Sequence, residues 1–245
     1  MTAKNILFND GWKFCLTDIG TELSALASKH WYDVELPHDW LINDTSKLYE
    51  TGEGWYGRTL KCTAEMLSGR VLLNFDGVYM DSTLFVNGRE AGSWTYGYSA
   101  FEHDITEFLR EGENELLVRV CHRSPNTRWY SGAGIFRDVI LKLRPLTYIR
   151  TNGVYIHSEP QPEGGWTTEV ETDVVGEAAD IRMLLEVFDP SGASMGGYGL
   201  ESHFGGGHEN FTASFNSTSP ELWSVDDPEL YTLKISLYSG TELLD

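Results

Sequence analysis

Apolar residues recur at every second position through most of this chain, and a sustained apolar stripe at helical spacing appears almost nowhere. Val71, Leu73 and Phe75 share one face of a run that stops at the turn pair Asp76-Gly77. A period of two is the signature of a strand with one buried face. Thr83 to Val86 meets Asn87-Gly88, a pair that tolerates the positive φ a tight hairpin requires. Leu116, Val118 and Val120 follow the Glu111-Gly112 turn, and Val139, Leu141 and Leu143 repeat the pattern before Pro145 ends it. Only Thr21 to Ser28 and Ile105 to Leu109 are compatible with short helices. The expected fold is all-β, and residues 1–145 are predicted to form an antiparallel jelly-roll sandwich with a partly solvated face.

A second series begins beyond Pro145. Val154-Tyr155-Ile156, Trp166 to Glu171 and Arg182 to Phe188 read as strands. Near the end, Tyr231, Leu233, Ile235 and Leu237 face one way while Lys234 and Ser236 face the other. Short strands at this spacing predict an immunoglobulin-like sandwich over residues 146–245. The glycines at 196, 197 and 205 to 207 read as loops, and no Lys-Ser or Lys-Thr follows them to make a phosphate cradle.

Charge and cysteine usage narrow the function classes. A formal net charge of −19 opposes binding to a phosphate backbone, so no nucleic-acid partner is expected. No apolar run reaches membrane-span length, and Met1 to Asn5 lacks the cationic and apolar character of a secretory leader. Cys15, Cys62 and Cys121 are odd in number, far apart and without metal-ligand spacing, which predicts buried thiols. These features together predict a cytoplasmic protein with no membrane partner, no cofactor and no metal.

The loop Asn126 to Asp138 carries the clearest chemistry. Asn126, Arg128, Trp129 and Tyr130 precede Gly132-Ala133-Gly134, and the chain then enters an apolar strand. Sugars present hydroxyls around an apolar ring face, so amide, guanidinium and aromatic groups on one loop suit a carbohydrate pocket edge. Two roles are open for this loop. Arg128 and Trp129 either reach a ligand, or pair with an acidic neighbour and fill the sandwich or a domain interface.

An ordered set of motifs resembles the N-terminal region of family-two glycoside hydrolases, most closely bacterial β-galactosidases. Asn9-Asp10-Gly11-Trp12-Lys13-Phe14, Leu36-Pro37-His38-Asp39-Trp40 and Gly54-Trp55-Tyr56-Gly57-Arg58 open the series. Phe75 to Val78, Val86-Asn87-Gly88, Gly97-Tyr98, Gly112-Glu113-Asn114 and the 126–138 loop continue it. Leu222-Trp223-Ser224, Asp227-Pro228 and Leu230-Tyr231 resemble the immunoglobulin-like module of the same family. Gly57 departs from the pattern, where the family more often has a second basic residue.

The resemblance implies a galactose-binding-like jelly roll, an immunoglobulin-like domain with one strand beyond Asp245, and a third, (β/α)₈ barrel domain of roughly 250 residues carrying two catalytic glutamates. No such barrel pattern is present in residues 1–245. Retaining hydrolysis needs two carboxyl groups about 5 Å apart. Asp226-Asp227 and Asp180 with Glu186 have no motif context for that role, so the chain alone is expected to be inactive. The resemblance also implies that Asn126 and Arg128 reach the mouth of the barrel's active site. An open sheet edge at the C-terminus predicts a loosely ordered second domain or a strand-mediated homo-oligomer.

Other candidates carry less. Adjacent His38 and Asp39 diverge on an extended chain and have no serine or cysteine nucleophile beside them, so His38, Asp39 and Trp40 are expected to fix a loop or meet another domain. His203 and His208 lack a third nearby ligand. The glycosylation patterns at Asn43, Asn210 and Asn216 read as chance matches without a leader. The reading is therefore a non-catalytic part of a β-galactosidase-like enzyme, bracing a barrel and shaping its carbohydrate pocket. Its alternatives are a stand-alone carbohydrate-binding module and a purely structural assembly domain.

Overall fold

A computed structural model describes residues 2–125 and 132–245. The chain divides into two compact units, one spanning Lys4–Leu143 and the other Arg144–Asp245 together with Thr2 and Ala3. In the first unit the strands are β1 (Lys4–Leu7), β2 (Trp12–Thr17), β3 (Tyr32–Val34), β4 (Gly52–Cys62), β5 (Arg70–Phe75), β6 (Ser82–Val86), β7 (Arg89–Trp94), β8 (Phe101–Asp104), β9 (Gly112–His122) and β10 (Val139–Arg144). They form a four-stranded sheet of order β1-β10-β5-β8 and a six-stranded sheet of order β3-β2-β4-β9-β6-β7.

The alternation seen in sequence becomes the pairing of core residues. In the six-stranded sheet Phe14 lies opposite Tyr56, Tyr56 opposite Val118, and Val118 opposite Leu84. All four are buried, as are Val71, Leu73 and Phe75 of β5 and Val139 and Leu141 of β10. Each fully buried large apolar side chain contributes about 1.5–3 kcal/mol. Asn87 and Gly88 turn the β6–β7 hairpin at φ 51° and 78°, as the dipeptide predicts. Among the described residues the helical content is confined to the 3-10 turns Leu23–Ser28, Thr45–Lys47 and Thr106–Phe108 and the single α-turn Ala64–Leu67. Two of these lie where short helices are expected.

The second unit comprises β11 (Thr147–Pro160), β12 (Trp166–Gly176), β13 (Ala179–Phe188), β14 (Ser194–Phe204), β15 (Gly207–Ser217), β16 (Thr232–Ser239) and β17 (Glu242–Leu243). Its sheets are β11-β12-β15 and β14-β13-β16-β17. Val170, Val174 and Phe211 of one sheet pack with Ile181, Met183, Leu185, Phe204 and Leu237 of the other. One expectation is corrected here. Gly196 and Gly197 lie inside β14, paired to Val187 and Glu186, rather than in a loop. Backbone pairing to β13 holds a sequence whose own β propensity is poor. Gly205 and Gly206 do form the turn to β15, while Gly207 starts that strand and pairs with Gly176.

Cys15, Cys62 and Cys121 are free and buried. Burial pushes the Cys15 and Cys62 thiols up from their ordinary values, which keeps them protonated and unreactive. No helix among the described residues is long and apolar enough to cross a membrane.

Candidate functional site

The segment 132–135, which leaves the sequence-predicted pocket loop, is bonded on two sides. On one, the His38 N–H donates to the Ile135 carbonyl at 2.8 Å and the Trp40 N–H to the Ala133 carbonyl at 3.1 Å. On the other, Gly134 and Tyr79 exchange backbone hydrogen bonds, each of 2.9 Å. Gly134 sits at φ +133°, and a side chain there would run into the Tyr56 hydroxyl and lie 2.5 Å from the His38 carbonyl oxygen. Glycine is the residue that permits both the backbone angle and the approach.

The hydrogen-bond partner of the His38 ring is Tyr56 rather than Asp39. The half-buried imidazole Nδ1 of His38 lies 2.8 Å from the Tyr56 hydroxyl. Burial lowers the His38 pKa, with the Asp39 charge opposing that shift; the ring is therefore neutral at physiological pH. Burial likewise holds the fully enclosed Tyr56 phenol protonated, well above its usual range. Asp39 Oδ1 accepts from the Leu41 N–H at 2.9 Å and the Ile42 N–H at 3.3 Å, a side-chain turn that fixes the loop's exit. Trp40 stacks on Phe14 with centroids 5.5 Å apart and meets His122 edge-on at 6.5 Å.

Tyr56, Tyr79 and His122 complete this arrangement, and sequence reasoning singled out none of them as site residues. His122 Nδ1 bonds the Glu50 carbonyl at 2.8 Å, and its ring lies 6.1 Å from that of Tyr79. Periodicity assigns Tyr56, in the middle of β4, to the core, and no local signal marks Tyr79 between β5 and β6 or His122 at the end of β9. Asn126, Arg128, Trp129 and Tyr130 lie outside the described residues.

The acidic candidates are dispersed. Asp180 pairs with His203 at 2.7 Å and Glu186 with Lys234 at 3.2 Å, all at the surface. Asp227 closes a turn with Ser224, its N–H donating to Ser224 Oγ at 2.9 Å. His208 pairs with Asp173 at 3.2 Å. Among the described residues, no three His, Cys, Asp or Glu side chains converge as metal ligands. What the geometry provides is a seat that holds residues 133–135 by backbone hydrogen bonds on two sides.

Comparison with known proteins places this seat in context. Residues 25–145 match the model of the glycosyl hydrolases family 2 sugar binding domain, and residues 147–245 match a second glycosyl hydrolases family 2 model. The chain is 31% identical over 255 residues to the β-galactosidase BoGH2A of Bacteroides ovatus, covering 97% of the chain and 30% of that protein. It is 27% identical to a putative β-glucuronidase of Formosa agariphila, covering 97% of the chain and 24% of that protein. It thus spans a third or less of the length of these relatives. Among solved structures, a putative β-galactosidase from Bacteroides fragilis superposes with a TM-score of 0.90 at 23% identity, covering all of this chain and 40% of that one. A Bacteroides uniformis β-glucuronidase superposes with a TM-score of 0.88 at 25% identity, covering all of this chain and 32% of that one.

Proposed function

Because the chain belongs to glycosyl hydrolases family 2, with the sugar-binding and immunoglobulin-like domains of that family, we propose that it serves as the non-catalytic N-terminal part of a β-galactosidase-like retaining glycosidase. In that role the two sandwiches, proposed to divide near residue 145, brace a catalytic barrel, and the first closes one side of its substrate pocket. The observation that carries the reading is the double anchoring of residues 132–135 between His38–Trp40 and Tyr79. A loop that must present Asn126 and Arg128 to a sugar gains most from a base that does not move, since misplacement by about 1 Å can cost a hundredfold in rate. A glycoside substrate fits the side-chain types on that loop and the β-galactosidase and β-glucuronidase names of the relatives. The free, buried cysteines support a reducing, cytoplasmic setting.

The experiment compares two proteins on nitrophenyl β-galactoside and β-glucuronide. Purified chain 1–245 is expected to give no turnover. The complete product of its gene is expected to hydrolyse one of them, with Asn126→Ala and Arg128→Ala each lowering kcat/KM by about tenfold to a hundredfold. Turnover by the chain alone would sink the proposal. A complete product without glycosidase activity that binds sugar would favour a stand-alone carbohydrate-binding module.

A further inference from the structure

A cavity of about 510 Å³ in the first unit is lined by Pro37, Asp76, Ala100, Phe136, Arg137 and Asp138. Its carboxylates are held from behind. Asn74 Nδ2 donates to Asp76 Oδ1 at 2.8 Å, and Asn9 Nδ2 donates to Asp138 Oδ1 at 2.8 Å. The Asp76 N–H donates to the Asp138 carbonyl at 2.9 Å, and the Val139 N–H to Asn9 Oδ1 at 3.0 Å. Each carboxylate is thus oriented through one oxygen and keeps a second for a ligand.

Arg137 is exposed and makes no hydrogen bond or ion pair with another described residue; its guanidinium carbon lies 5.5 Å from the Phe136 ring centroid. Its stem packs on the Asp76-Gly77 turn. A Cβ at Gly77 would lie 2.9 Å from Phe136 Cζ and 3.0 Å from Arg137 Cδ, so glycine there lets both side chains settle. An aromatic strip continues from Phe136. Tyr98 stands 6.4 Å from Phe136 and 5.2 Å from Tyr79, and Tyr96 stands 6.0 Å from Tyr98. Tyr98 and Tyr96 are 48% and 61% exposed. Their loop is fixed by Trp94, which donates to Ser99 Oγ at 3.1 Å and stacks on Phe101 at 5.6 Å.

A guanidinium fork, two oriented carboxylates and an apolar ring around one cavity match the hydroxyls and the ring face of a pyranoside. We propose that this cavity is a second carbohydrate subsite, in which Arg137 donates to ring hydroxyls, Asp76 and Asp138 accept from them, and Phe136 and Tyr98 carry the sugar face. The proposal rests on the reading that the chain handles carbohydrate. It adds a place where the chain itself holds a sugar unit.

The test is amide NMR of the 245-residue chain titrated with methyl β-galactopyranoside and with lactose. Shifts saturating in the millimolar range at Asp76, Gly77 and Phe136 to Asp138 are expected. Arg137→Met, which keeps the stem, and Asp76→Asn should each weaken binding by about tenfold or more. Tyr98→Ala should weaken lactose more than the methyl glycoside. No shift at those amides with either sugar would overturn the subsite, as would an Arg137→Met protein titrating like wild type. Shifts confined to residues 38–40 and 132–135 would overturn it while leaving the pocket-edge reading intact.

Discussion

The imidazole of His38 is bonded to the hydroxyl of Tyr56, 2.8 Å away and 18 positions along the chain, and not to the neighbouring carboxylate of Asp39. The tyrosine comes from the middle of β4 and is fully buried. Its hydroxyl therefore has few partners to choose from, and His38 supplies one. That pairing ties the loop at residues 36–42 to the six-stranded sheet.

Removing the hydroxyl should loosen this tie without emptying the core. Tyr56→Phe is expected to cost about 1–2 kcal/mol, because a partly buried imidazole nitrogen loses its partner while ring packing persists. The midpoint of urea unfolding reads the effect, and an unchanged midpoint would mean that water replaces the phenol freely.

Gly134 offers a sharper test. Gly134→Ala places a methyl group against the Tyr56 hydroxyl and the His38 carbonyl at a backbone angle unfavourable to alanine. A loss of about 2–4 kcal/mol is expected from the combined clash and strain. Gly88→Ala, in an exposed turn with open space around the added Cβ, should cost only about 1 kcal/mol. Equal losses for the two variants would refute the crowding argument.

Stability should fall on mild acidification. Burial lowers the pKa of His38 and of His103 in the folded protein, so the unfolded chain takes up protons first as pH drops below about 6.5. In that window the unfolded state binds more protons, and stability rises with pH. The loss is complete only once pH has fallen through the lowered folded-state values. Urea midpoints between neutral and mildly acidic pH should show this slope, and His38→Gln should flatten it. A slope of opposite sign would contradict the direction given.

Asn114 is completely buried and serves as a junction of loop ends. Its Nδ2 donates to the Arg110 carbonyl at 2.8 Å and the Gly112 carbonyl at 3.1 Å, while Oδ1 accepts from Asn87 Nδ2 and the Arg110 N–H, both at 2.9 Å. Asn114→Ala should destabilise by about 2–4 kcal/mol, since the Arg110 and Gly112 backbone groups and the Asn87 amide lose their shared partner together. Differential scanning calorimetry would detect this as a lowered Tm, and a Tm within error of wild type would count against the network.

The cysteines predict a simple chemical result. Ellman's reagent should find almost no accessible thiol in the native chain and three after unfolding, because Cys15, Cys62 and Cys121 are free and buried. Fewer than three in the unfolded, unreduced protein would reveal a disulfide.

Much of the fold was legible in the order of residues. The β5, β6, β9, β10, β12, β13 and β16 strands follow from alternation, and the β6–β7 hairpin from Asn87-Gly88, because both signals are local. The β14 strand was not legible. Its glycines carry no alternating side chains, and it is a strand because β13 offers a ladder of backbone partners from Ala179 to Phe188.

The candidate site divides along the same line. The sequence alone determined which chemistry was on offer: a loop of amide, guanidinium and aromatic groups, a His-Asp-Trp turn, and motifs resembling a sugar-binding domain. Only the tertiary structure decided who meets whom. It paired His38 with Tyr56, set Tyr79 against Gly134, and brought Asp76 beside Asp138 across 62 residues of chain. Strand periodicity records which side of a sheet a residue faces, whereas contacts between loops depend on which strands become neighbours, and sheet order is fixed by the packing of the whole sandwich.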